Sequence, residues 1–450
     1  SFMPVLAILA LTGCDDDNNT TNSNLPEPVL PQIYGTADLT FGVNGIVESD
    51  YGLDQEEFGN SIISDDQGNI YVAGIVDTDS TGSRAYKMAI WSYNTFDGSV
   101  NTDFNGNGMA LSSLAANNEG TDVALGIDDN IYVSGYSQGS QDDMTIWSYK
   151  NDGSINTAFG AGNGYVTQDN AAGGNGQERA LAITSAPDGK LYVTGYSDVD
   201  NSTVSRDMVI WSYELDGLRN TWFDTDGIVT FGADSNSNDQ GNAIVVDDNG
   251  IVYVTGYITN SSGNTDMAIW VYNSDGTPNT NFWANGYAYN GNAAGGDADD
   301  QGTAIALGKA GRVYVGGSSR DSNGDQKLIV WSYNENGTLN TAFGEGDGIS
   351  IFDNGESCRA TDIFVDSGEN IMVSATCTNF SLGKEILTLV MFDSAGIVAQ
   401  DSFGESGYVQ DDRGSATSFI VDSNKEIYLT GHTGSLFNAN AKNMAVWNYK

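Results

Sequence analysis

The sequence predicts an all-β fold: a closed ring of seven four-stranded antiparallel sheets. Three observations carry that expectation. The first is a repeat, an apolar run ending in Trp-x-Tyr, at Trp91, Trp147, Trp211, Trp270, Trp331 and Trp447, with a weaker copy that puts Val390 and Phe392 in the aromatic positions. Successive copies lie 56, 64, 59, 61, 59 and 57 residues apart, and units of that length must stack on their neighbours to bury an apolar face. The second is strand-length apolar runs separated by Asp/Asn/Gly clusters, with no helical period. The third is the Trp run itself. In "DMVIWSY", Val209, Trp211 and Tyr213 share one face and Met208 and Ile210 the other. Both faces are apolar, so the strand is sandwiched between sheets, as in the blades of a β-propeller.

The copy from Asp239 to Gly286 shows the elements in order. A first strand, "NAIVVD", meets the turn signal "DDNG"; a second, "IVYVTGY", follows, which Gly256 is expected to interrupt. A polar loop leads to the third strand, "MAIWVY", and "NSDG" leads through "NTNF" to a short fourth strand after Gly286. The Trp and Tyr columns are read as packing between blades.

The chain ends predict how the ring shuts. The phrase after the third strand, "FGxxGxV" or a relative, occurs at Phe41, Phe104, Phe159, Phe223, Phe282, Phe343 and Phe403. Its first copy precedes any complete repeat, and the chain stops at "WNYK" without one. A strand near Gly45 to Val47 is therefore expected to complete the last blade, outside three strands drawn from about Ser415 to Lys450.

Residues 1–13 contain an apolar stretch of signal-peptide length, too short to span a bilayer as a helix, without the basic segment that usually precedes it. It closes on Leu11-Thr12-Gly13-Cys14, which resembles the lipobox of bacterial lipoproteins and implies lipidation at Cys14. Residues 14–33 are polar, Asn/Asp/Thr-rich and then Pro-punctuated, the composition of a disordered tether, and 34–450 are the propeller. The expected location is extracytoplasmic, lipid-anchored in the bacterial cell envelope or on the cell surface, with the membrane as a partner through the anchor. Cys358 and Cys377, the other two of three cysteines, flank the first two strands of the sixth repeat and are expected to pair as a disulfide. Sixty acidic residues against 17 basic, a net charge of −43, exclude a nucleic-acid partner, which needs a basic footprint.

"DDQGNIYVAG" at Asp65 to Gly74 and "DDNGIVYVTGY" at Asp247 to Tyr257 resemble the seven-bladed β-propeller (SBBP) repeat. "DGSINTAFGAGNGYV" at Asp152 to Val166 resembles the delta-60 repeat, which usually has Asp where Asn156 stands. The resemblance covers nearly everything after Tyr34. It implies a propeller on a secreted or surface protein, and it brings no established activity and no catalytic residue.

His432 is the single histidine, so a His-based metal cage is excluded and no catalytic residue is assigned. Sequence cannot choose a glycosidase carboxylate pair from sixty acids. Position offers a better candidate. Just before the innermost strand, aligned copies place Glu57, Asn118, Glu178, Asp239, Asp300, Cys358 and Gly414. The carboxylates Glu57, Glu178, Asp239 and Asp300 are candidate ligands for Ca²⁺, the one cofactor considered; equally, acids ahead of a Gly cap loop N–H groups. The loops before the first strand and between the second and third vary in length, while the opposite turns stay regular. The expected function is a binding or scaffold module for a glycan or an envelope protein through that variable face. The alternative is a carboxylate-dependent polysaccharide hydrolase or lyase.

Overall fold

A computed structural model describes residues 35–49, 51, 56–79, 84–115, 117–199, 205–233, 237–404, 406–434 and 442–450. The chain divides into two units, Ser1–Gln32 and Ile33–Lys450. The expected signal peptide, the candidate lipidation residue Cys14 and the expected tether lie outside the described residues.

The second unit is a seven-bladed β-propeller, each blade a four-stranded antiparallel sheet. Blades 1 to 7 are numbered from their inner strands: Glu57–Ser64, Asn118–Leu125, Glu178–Ser185, Gln240–Val246, Asp300–Leu307, Ser357–Val365 and Gly414–Val421. Each inner strand touches that of the next blade, and blade 7 touches blade 1, so the ring is closed around a central axis. No helix among the described residues is long and apolar enough to cross a membrane.

The core lies between blades. Seven apolar clusters each draw on two adjacent blades. The third strand of blade 3, Arg206–Glu214, shows why both its faces are apolar. Val209, Trp211 and Tyr213 join Tyr132, Ile146 and Phe159 of blade 2, whereas Met208 and Ile210 join Val254, Ala268 and Trp270 of blade 4. At ~1.5–3 kcal/mol for each fully buried large apolar side chain, the Trp column is a main source of cohesion between blades.

Every inner strand carries a β-bulge near its start, where the register skips residue 60, 121, 181, 242, 303, 361 or 417. The skipped residue often reaches the next blade. Asn60 donates to Gly120 O at 2.7 Å, Thr121 to Ala180 O at 3.0 Å, Asn242 to Gly302 O at 2.8 Å, Thr303 to Ala360 O at 2.8 Å, and Thr417 to Gly59 O at 2.6 Å.

The bulge also corrects the expectation for Gly256. The second strand of blade 4, Val252–Thr259, runs unbroken through it, with Gly256 opposite Gly241. Glycine is required there because a Cβ would lie 1.8 Å from Gln240 O, the carbonyl that the bulge drives toward it.

Closure follows the one-plus-three pattern. Ile46–Glu48 pairs antiparallel with Asn443–Tyr449 at the outer edge of blade 7. Ala37 bridges Tyr449 as Val100 bridges Tyr93 and Ile155 bridges Tyr149, so the N-terminal segment also supplies the limb of the missing turn.

The two faces differ as expected. On the regular face, the Phe-Gly phrase of one blade donates a backbone N–H to a turn of the next: Gly42 to Asp97 O at 2.8 Å, Asn105 to Asp152 O at 2.7 Å, Gly160 to Asp216 O at 2.9 Å. On the other face the variable loops meet. Asn264 donates to Asp297 O at 3.0 Å, and the Thr265 N–H to Asp299 Oδ1 at 3.1 Å.

Candidate ligand-binding mouth and buried acids

The aligned polar positions stand at the variable-loop end of the inner strands, each in its own blade, and they are buried: Glu57 and Asn118 are 1 % exposed and Glu178, Asp239 and Asp300 0 %. Their oxygens face neighbouring backbone and hydroxyl groups. Asp300 accepts from the Asn292 N–H at 2.7 Å and the Ala293 N–H at 3.0 Å. Asp239 accepts from the Thr259 N–H at 3.1 Å and Ser237 Oγ at 3.0 Å, Glu57 from the Tyr51 N–H, and Asn118 Oδ1 from the Met88 N–H at 2.9 Å. The carboxylate contacts are loop-capping, whereas Asn118 caps an N–H of the third strand of blade 1. Among the described residues, no three of Glu57, Glu178, Asp239 and Asp300 offer ligand atoms within 4.8 Å of one another, and of the four only Glu178 joins such a group, with Asp143 and Asp169. Burial raises the carboxyl pKa of Asp300, and that of Glu178 to about 8.

Cys358 and Cys377 lie directly opposite each other in blade 6 and are joined as a disulfide, with Cα atoms 4.1 Å apart.

His432 sits within the strand Ile427–Thr433, its ring edge-on to Phe58 at 5.0 Å between centroids and its Nδ1 3.2 Å from Ser415 Oγ. Burial, then the charges of Lys442 and Arg359, push its pKa down to about 4, so the imidazole is neutral at physiological pH. The charges that act on it are cations, the opposite of what a Ser-His-Asp relay requires.

Sequence reasoning missed the residue that follows each capping position, Glu119, Arg179 and Gln240 in blades 2 to 4. In blades 2 to 4 these residues and their neighbours build an alternating row of rings and guanidinium groups. The Arg179 guanidinium lies 4.0 Å from the centre of the Tyr136 ring, and that of Arg206 lies 4.2 Å from the centre of Tyr196. The charge of Arg179 also acts on Tyr196, and that of Arg206 on Tyr257.

Each arginine is held by a carboxylate, Arg179 by Asp142 and Arg206 by Asp198 at 3.1 Å, while its side chain stays 31 % or 25 % exposed. The Tyr136 hydroxyl donates to Glu119 at 2.6 Å and the Tyr257 hydroxyl to Gln240 at 3.2 Å. Arg179 is on an inner strand, the three tyrosines are near the ends of second strands and Arg206 begins a third strand, so the row crosses the variable-loop face. The available signal was an arginine directly after the capping position, at Arg179 and Arg359, in a chain with only 17 basic residues.

The model of a β-propeller domain family of unknown function (DUF5122) matches residues 248–282 and 311–343. No curated protein matches the chain. Among solved structures, an ulvan lyase from a new polysaccharide lyase family, bound to -[GlcA(1-4)Rha3S]-, is 11 % identical at a TM-score of 0.49, over 92 % of this chain and 94 % of that one. An acylaminoacyl peptidase of Pyrococcus horikoshii is 9 % identical at 0.45, over 87 % of this chain; this chain spans about half of that enzyme, 51 %. A Dyadobacter fermentans protein of unknown function is 8 % identical at 0.42, over 90 % of this chain and 98 % of that one. These likenesses concern the propeller fold.

Proposed function

We propose that this propeller is a membrane-tethered, extracytoplasmic binding module that takes an acidic glycan on its variable-loop face. The Tyr136–Arg179–Tyr196–Arg206–Tyr257 row is the observation that supports this reading. Tyr136 and Tyr257 are half-buried and can offer the remaining ring surface to a sugar, whereas Tyr196 is buried against Arg206. Guanidinium groups match carboxylate or sulfate oxygens with paired N–H donors. Asp142 and Asp198 fix the two arginines in place, which lowers the ordering cost of binding.

The test is a glycan array probed with the purified protein, with product analysis on every hit. The expected result is retention of uronate- or sulfate-bearing glycans over neutral ones, with no cleavage. Replacing both Arg179 and Arg206 by Ala should weaken binding at least tenfold. Preference for neutral glycans, or undiminished binding by the double variant, overturns the proposal. Release of shortened or unsaturated products would instead support a hydrolase or lyase.

A further inference from the structure

Blades 2 and 3 meet at three carboxylates. Asp143 is on the third strand of blade 2, Asp169 directly follows its outer strand Tyr165–Gln168, and Glu178 begins the inner strand of blade 3. One oxygen of each lies within 4.8 Å of the others. Asp169 is exposed, Asp143 half-buried and Glu178 fully buried, so the cluster runs from solvent into the seam. Glu178 uses one oxygen to accept from Ser197 Oγ at 2.7 Å. Its Oε2 is buried with no hydrogen-bond partner in bonding geometry, beside the Asp169 carboxylate and the Asn170 N–H.

The same protein contains a natural control. Residues 169–178 read "DNAAGGNGQE" and residues 291–300 read "GNAAGGDADD", two loops of equal length with the same Asn-Ala-Ala-Gly-Gly core. In the second loop both oxygens of the shorter Asp300 carboxylate are taken by the Asn292 and Ala293 N–H groups. Gly291 stands where Asp169 does, and a Cβ there would lie 2.5 Å from Asp266 Oδ1. Gly232 repeats this beside Asp207, at the same 2.5 Å. At the seam of blades 5 and 6 the third-strand position is a cation instead, Lys327, 2.9 Å from Asp353. Among the described residues, only the loop after blade 2 gathers a third acid and leaves a buried oxygen unsatisfied beside it.

We propose that Asp143, Asp169 and Glu178 bind a Ca²⁺ ion that ties the 169–178 loop to blade 2. An all-oxygen, three-carboxylate donor set suits a hard cation whose remaining ligands are water or backbone oxygen, at the weak affinity typical of extracellular modules, on the order of 0.1–1 mM. Bound Ca²⁺ stabilises the fold by mass action. The site uses no residue of the Tyr–Arg row, so it stands or falls independently of glycan binding.

The test is calorimetric titration of EGTA-treated protein with CaCl₂, together with thermal melts against NaCl of equal ionic strength. One saturable site per chain is expected, with a melting temperature raised beyond the NaCl control. Asp143→Asn and Asp169→Gly should each weaken Ca²⁺ binding at least tenfold, and Asp266→Asn should leave it within twofold. Asp169→Gly reproduces a loop start that the protein already folds at Gly291; should it misfold, Asp169→Asn gives the same reading. Absence of a saturable site, or equal affinity in the Asp143 and Asp169 variants, overturns the assignment.

Discussion

Blades 1 to 5 and blades 6 to 7 solve the same packing problem by different means. In the first group the repeat holds its consensus, with Trp in the third strand and, opposite the bulge, Gly74, Gly135, Gly195, Gly256 and Gly317. In blade 6 Val390 takes the Trp position and Ala375 the glycine position, yet the bulge between Ala360 and Asp362 persists. A disulfide ties the two strands two residues from Ala375. Blade 7 keeps Trp447 and Gly431, but its outer strand comes from the other end of the chain. The regular-face contact is kept there, with Gly35 of the N-terminal segment against Phe403 as Gly217 stands against Phe159 and Gly396 against Phe343. The bulge and the sandwiched sheet are thus the invariants, and the consensus residues are one way of achieving them.

The largest test of this contrast is the seam. Removing residues 36–48 takes away the outer strand of blade 7 and the bridge to Tyr449, exposing a sheet edge and the core around Trp447. We expect a loss of more than about 5 kcal/mol, or failure to fold, whereas removing residues 15–33 should leave the melting temperature nearly unchanged. Equal melting temperatures for the two truncations would break the closure argument.

Next is the glycine opposite the bulge. Gly256→Ala drives a Cβ into Gln240 O and should cost about 3 kcal/mol or more, read by denaturant unfolding. The reverse change in blade 6, Ala375→Gly, should cost about 1 kcal/mol or less. Similar costs at both sites would mean that blade 6 keeps the same close approach.

The disulfide comes third. Its loop spans a sequence separation of 19, and replacing both cysteines by Ala should cost about 3 kcal/mol in the chain-entropy account. A double variant as stable as the parent would show that blade 6 packs without help.

The last concerns Asp362, which follows the bulge of blade 6 and accepts from Ser418 Oγ at 2.9 Å and the Phe419 N–H at 3.0 Å, both in blade 7. Burial outweighs these bonds and pushes its pKa up to about 6, above the usual 3.8. The folded protein then keeps a proton that the unfolded chain has released, so this group lowers stability as pH climbs from about 4 to about 6 and adds no further change above that. Relative to the parent, Asp362→Asn should gain up to about 3 kcal/mol between pH 4 and 7, measured by urea unfolding across that range. A pH-independent difference would place the proton elsewhere.

Much of this was legible in the sequence, because a repeat writes its packing many times over. The period and copy number determined seven blades; the doubly apolar third strand determined that each sheet is covered on both faces; the placement of the Phe-Gly phrase determined the seam. Each depends on local pattern, which a strand's period of two and its turn residues preserve. What the tertiary structure alone decided lies between blades. The acids at Glu57, Glu178, Asp239 and Asp300 align in sequence, but whether they face a shared space or their own loops depends on where each blade's loop folds back, and they are buried one per blade. The Arg179–Tyr136 contact and the Asp143–Asp169–Glu178 cluster join residues of neighbouring blades at positions where the repeat varies. A repeat reports what its copies share; a site needs what makes one copy different, and the juxtaposition of two such differences exists only once the blades are packed side by side.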